Sequence, residues 1–118
     1  MATITVTDTR FLQTTEAGEL KLKITVGFMQ ASGSYVVLIS SDDSRKEISP
    51  DQQGVYTIPL EHQSIISCIT VVQDINLSTN NTSVRHNFTD ANPDTFTYER
   101  EVEHHNDRVI YDIQYILL

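Results

Sequence analysis

Leu20-Lys21-Leu22-Lys23-Ile24-Thr25-Val26-Gly27-Phe28 alternates apolar and small or polar residues without interruption. A period of two belongs to a strand whose successive side chains point to opposite faces. Leu20, Leu22, Ile24, Val26 and Phe28 therefore face a core, and Lys21, Lys23 and Thr25 face water. Upstream, Thr3 to Thr7 repeats the pattern through Ile4 and Val6, and Glu16-Ala17-Gly18-Glu19 supplies a turn before the long strand.

Downstream, Tyr35 to Ile39 and Ile65 to Val72 are apolar at both alternating sets of positions. That is the pattern of central strands in a sheet covered on both faces, and these are the strongest core candidates. Turn-rich Ser40 to Ser44 and Ser49 to Gly54 leave room for short strands at Lys46 to Ile48 and Val55 to Leu60. Beyond Asn76 to Asn81, a strand carries Val84, His86 and Phe88 on one face. Asp90-Ala91-Asn92-Pro93-Asp94 then interrupts the pattern, because Pro93 has no N–H to donate to a ladder.

The last two strands are predicted to form a long hairpin about Asn106-Asp107, a pair suited to positive φ in a two-residue turn. That register sets Phe96 opposite Leu117, Tyr98 opposite Tyr115 and Val102 opposite Tyr111, which makes one face almost wholly apolar. About nine short strands at roughly 8–12-residue spacing predict one all-β domain over residues 1–118. The expected architecture is an antiparallel β-sandwich, Ig-like or jelly-roll-like, ending in that C-terminal hairpin. The antibody-type cysteine pair around a tryptophan is absent, since the chain has one Cys and no Trp.

At 118 residues, folding buries roughly two-thirds of the surface of the unfolded chain, enough for one core. The formal charge of −8 disfavours nucleic acid and anionic membranes, whose recognition needs clustered Lys and Arg. A lone Cys68 precludes an internal disulfide, and no apolar run has the length of a membrane span. The start has no basic segment followed by an apolar stretch, so the cytoplasm is the default expectation. Four Asn-x-Ser/Thr sequons, at Asn76, Asn80, Asn81 and Asn87, leave a secreted form open but read first as a polar turn leading into a strand.

Chemistry-bearing patterns are few. Asp90, Asn92 and Asp94, with Glu101 at the twelfth position, have the oxygen spacing of a calcium loop. Thr95 stands where the sharp turn needs Gly, and Pro93 intrudes, so a turn without a tightly bound ion is expected. His104 and His105 are adjacent and point to opposite faces of a strand, so they cannot readily share a metal. His62 falls in a loop and His86 on a core face. Neither a nucleophile elbow nor a phosphate-binding glycine loop occurs, and Cys68 in its apolar strand reads as a small buried hydrophobe. Tyr98, Tyr111 and Tyr115 could stack on a sugar, but they fall on the predicted core face.

These features predict a protein that is not an enzyme and needs no cofactor: a protein-interaction or assembly module, with a loop-borne sugar or calcium site as the alternative. Val109 to Leu118 is expected to lie at a sheet edge, open to another chain. On the polar face of the hairpin, Glu99, Glu101 and Glu103 stand opposite Gln114, Asp112 and Ile110, with Ile116 bordering the row. The expected partner of this acidic row is a basic protein surface or another copy presenting Lys21 and Lys23.

Overall fold

The structure, a computed structural model, describes residues 1–14, 18–60 and 63–118. Glu16 and Ala17 of the expected turn and the loop position of His62 lie outside the described residues. Ten strands are present: β1 Thr3–Thr14, β2 Glu19–Val26, β3 Ala31–Ile39, β4 Arg45–Ile48, β5 Val55–Pro59, β6 Ile65–Gln73, β7 Asn81–Thr89, β8 Ala91–Asn92, β9 Thr95–Glu101 and β10 Arg108–Leu117. They form a six-stranded sheet in the order β4-β3-β6-β10-β1-β8 and a four-stranded sheet in the order β5-β2-β7-β9. Of the pairings in these sheets only β1 with β10 is parallel. The all-β sandwich read from the alternating pattern is the observed class, with the two-residue β8 added.

Successive strands cross repeatedly from one sheet to the other, so each sheet turns one face inward and the two inner faces share a core. Leu20 and Leu22 of β2, Val84 and Phe88 of β7, Ile66 and Cys68 of β6, and Tyr111, Ile113 and Tyr115 of β10 are all buried there. Fully burying an aliphatic or aromatic side chain stabilises the fold by about 1.5–3 kcal/mol. The inward-facing residues of β2, β6, β7 and β10 are therefore a large source of stability in this chain.

The expected hairpin does not form. β9 pairs with β7 in the four-stranded sheet, whereas β10 lies between β6 and β1 in the other. The corner between them is tied elsewhere. The Asp107 carboxylate accepts the Ala2 and His104 N–H groups, Asp74 N–H donates to the Asp107 carbonyl, and Asn106 N–H donates to the Asp74 carbonyl. Those bonds hold the corner to the chain start and to the end of β6. Asn106 does have positive φ, at 71°, but it turns the chain from sheet to sheet. Residues expected to neighbour one another within a sheet meet across the core instead, with the Phe96 and Tyr115 rings 5.0 Å apart.

Two further expectations are corrected. β10 is not an edge strand; the edges are β4 and β8 in one sheet and β5 and β9 in the other. β1 runs on to Thr14, past the inner-face positions Asp8 and Arg10, where the sandwich opens beside β9. There the Tyr98 hydroxyl donates to Asp8 at 2.9 Å, Arg10 lies 5.4 Å from the Phe96 ring centre, and Asp8 and Arg10 form an ion pair at 3.7 Å.

Candidate interaction face

β3 and β6 are largely apolar on both faces and β10 adds Ile110 and Ile116 outward among Arg108, Asp112 and Gln114, yet only the inner faces of the three strands are covered. The registers place Tyr35 beside Ile69, Ile69 beside Asp112 and Asp112 beside Thr7. A neighbouring row runs Gly33, Val71, Ile110, Thr5. At the far end lies a row with one apolar residue from each of four strands: Ile39, Ile65, Ile116 and Phe11. Phe11 is 61% exposed, Tyr35 54%, Val71 37% and Ile69 36%. Val37, Ile39, Ile65, Ile110 and Ile116 are half-buried. Covered central strands were expected; an open apolar face is found.

The charged groups on this face are balanced, and a more polar row, Val37, Ser67, Gln114 and Thr9, separates the Tyr35–Ile69 row from the far end. Arg45 and Glu47 of β4 register with Ile39 and Val37, and Arg108 and Asp112 lie four residues apart on one face of β10. Two cations oppose two carboxylates. Tyr35 donates its hydroxyl to Glu47 at 3.3 Å. The threonines of β1, Thr3, Thr5, Thr7 and Thr9, border the apolar strip with short β-branched side chains that are polar but flat. Two hollows indent the surface. One, of about 270 Å³, is lined by Ala31, Ser32, Gly33, Val71, Gln73 and Arg108. The other, of about 550 Å³, is lined by Gln63, Ile65, Ile116, Leu117 and Leu118.

The predicted acidic row is not assembled. Glu99 and Glu101 register with Ser83 and Asn81 on the outer face of the four-stranded sheet, and Glu103 is exposed in the corner after β9. Asp112, Ile110 and Ile116 lie on the opposite side of the sandwich, so the structure keeps these three together and separates them from the glutamates. Lys21, Lys23 and Arg85 line a furrow of about 410 Å³ on the same side as Glu99 and Glu101.

In the calcium-spaced segment, Asp90 adopts a left-handed φ of 67° and Ala91 and Asn92 pair with Thr14 and Gln13 of β1. The Asp94 carbonyl accepts the Phe88 N–H, and its carboxylate accepts the Thr95 hydroxyl. Among the described residues no group of three or more His, Cys, Asp or Glu is placed to hold a metal ion.

Of the strongly perturbed groups His86, Cys68 and Tyr115 are enclosed, and Tyr98 is half-buried. His86 is fully buried, its Nδ1 hydrogen-bonded to the Tyr115 hydroxyl and its Nε2 without a partner. Burial lowers its pKa from 6.5 to about 4. Burial likewise pushes up the Cys68 thiol and the Tyr115 phenol, while burial and the bond to Asp8 push Tyr98 up to about 12. Tyr111 and Tyr115 are fully buried, so the tyrosine cluster offers no stacking surface to a sugar. The signal that could have found the open face was the double apolarity of β3 and β6. The chain matches no protein-family model, no curated protein and no solved structure.

Proposed function

We propose that this domain is a non-enzymatic protein-interaction and assembly module that docks through the outer face of its six-stranded sheet. One observation carries the reading. The outer face presents exposed Phe11, Tyr35, Ile69 and Val71 with half-buried Ile39, Ile65, Ile110 and Ile116, among them the polar Ser67, Asp112 and Gln114. Exposed apolar patches with polar borders mark docking sites. The apolar centre and threonine border also match the anatomy of protein interfaces. The groups with the most altered chemistry, Cys68 and His86, are shut inside the core, away from any substrate.

A photo-crosslinking side chain placed at Val71, with Lys23 as the control position, tests the reading in the full chain within its source cells. Discrete protein adducts from position 71 and none from position 23 are expected. Equal adducts from both positions, or none from either, would remove the reading.

A further inference from the structure

We infer that the partner on this face is a second copy of the chain. The two copies pack sheet against sheet about a twofold axis that lies between them and crosses β10 at Ile110. This rests on the interaction-module reading and names its partner.

Charge is the ground. The chain carries −8, but Arg45 and Arg108 cancel Glu47 and Asp112 on this face. Two copies meet here without opposing their excess negative charge.

The position of the axis follows from the side chains. An axis crossing β10 at Asp112 would set carboxylate against carboxylate. Moved two residues to Ile110, it sets Ile110 against itself and Arg108 of each copy over Asp112 of the other. The registers carry the same axis through Val71 of β6 and Gly33 of β3. Tyr35 of each copy then falls over Ala31 of the other, at the hollow of about 270 Å³ beside Gly33. One symmetry operation thus pairs the charges, stacks the apolar centre and seats the most exposed ring of β3. The strand ends left over by the offset point toward the loops that present Met29, Ile75 and Leu77, all exposed apolar residues.

Packing this face on the opposite side of a neighbour is disfavoured. It would bring Lys21, Lys23 and Arg85 onto apolar rows and strip their water without supplying partners. Being head-to-tail, it would also fail to close as a dimer.

Sedimentation across a concentration series tests the inference. A monomer–dimer equilibrium is expected in the wild type. Arg108→Asp and Asp112→Arg should each weaken it by about tenfold or more, and the double reversal should restore it to within about threefold. Gly33→Gln keeps the test readable if a charge variant folds poorly. A Cβ added at Gly33 meets nothing within 4 Å in the isolated domain, so the new side chain fills the hollow and weakens association at unchanged melting temperature. A wild type that stays monomeric overturns the inference, as does a dimer that none of the single substitutions weakens or that the double reversal does not rescue. A monomer that still gives position-71 adducts with a different protein defeats the second copy alone. Loss of both dimer and adducts defeats the module reading as well.

Discussion

The two outer faces of the sandwich are built on the same period of two and differ in chemistry. On the four-stranded sheet, Lys21, Lys23 and Thr25 of β2 lie beside Asn87 and Arg85 of β7, and Thr95, Thr97 and Glu99 of β9 continue the polar surface. On the six-stranded sheet, the equivalent positions of β3, β6 and β10 include Tyr35, Val37, Ile69, Val71, Ile110 and Ile116, with Ser67, Asp112 and Gln114 as polar members. Stability accounts for the first arrangement, since only the inner face needs to be apolar. It does not account for the second, because apolar side chains left in water contribute little to the fold. This difference is the ground for the proposal that the second face is a docking surface.

The largest test contrasts the two sides of one strand. Tyr115→Ala removes the ring that packs against Phe88, Phe96 and His86, and should cost about 3–5 kcal/mol in urea unfolding. Its neighbour Ile116, on the outer face, should cost less than about 1.5 kcal/mol when changed to Ala, measured at low protein concentration. Similar costs at the two positions would mean that the outer face is not free.

A second test uses adjacent residues of β7, buried His86 and outward-facing Arg85. The unfolded chain binds a proton at His86 near the ordinary value of 6.5, the folded chain only near 4. Between those values the unfolded state holds more protons, so stability falls as pH drops from 6.5 toward 4, by about 3 kcal/mol in all. Above 6.5 this group adds no pH dependence. Urea midpoints at neutral and acid pH should show that slope in the wild type and in Arg85→Gln, and lose much of it in His86→Gln. Parallel profiles for wild type and His86→Gln would refute the enclosed, neutral imidazole.

Smaller effects sharpen the contrast between the sheets. Ile69→Lys should leave the melting temperature of the dilute protein nearly unchanged, within about 0.5 kcal/mol, while abolishing association. Lys23→Ile on the other sheet should leave association intact. The smallest effect is a labelling difference within β6. Native protein should resist thiol reagent at Cys68, and Val71→Cys should add one rapidly reacting thiol. Fast labelling at Cys68 would reverse the face assignment of the strand.

Much of this was legible in the amino-acid pattern, because strand periodicity is a local property. Leu20 and Leu22, the odd-numbered residues of β10, Cys68 and His86 were all assigned inward and are inward. The glutamate–aspartate row was misplaced for one reason: it depended on which strand lies beside β10. Alternation specifies which side chains share a face of one strand but not which other strand continues that face. Tyr98 does meet Tyr115, the residue expected opposite it, and Phe96, expected opposite Leu117, packs on the same tyrosine, yet both from the opposite sheet, since apolar contact is satisfied equally by either geometry.

The sequence by itself determined that the chain is a β-sandwich of short strands, and which half of β2, β7 and β10 is buried. That information lies in residues two apart. Only the tertiary structure decided that β10 joins β1 in parallel and β6 in antiparallel fashion, through a corner where Asp107 accepts the N–H of Ala2, 105 residues away. The same long-range choice separates Asp112 from the glutamates and leaves the outer faces of β3, β6 and β10 uncovered. A strand that is apolar on both sides has two faces that could be covered, and the second sheet of this chain lies against only one of them.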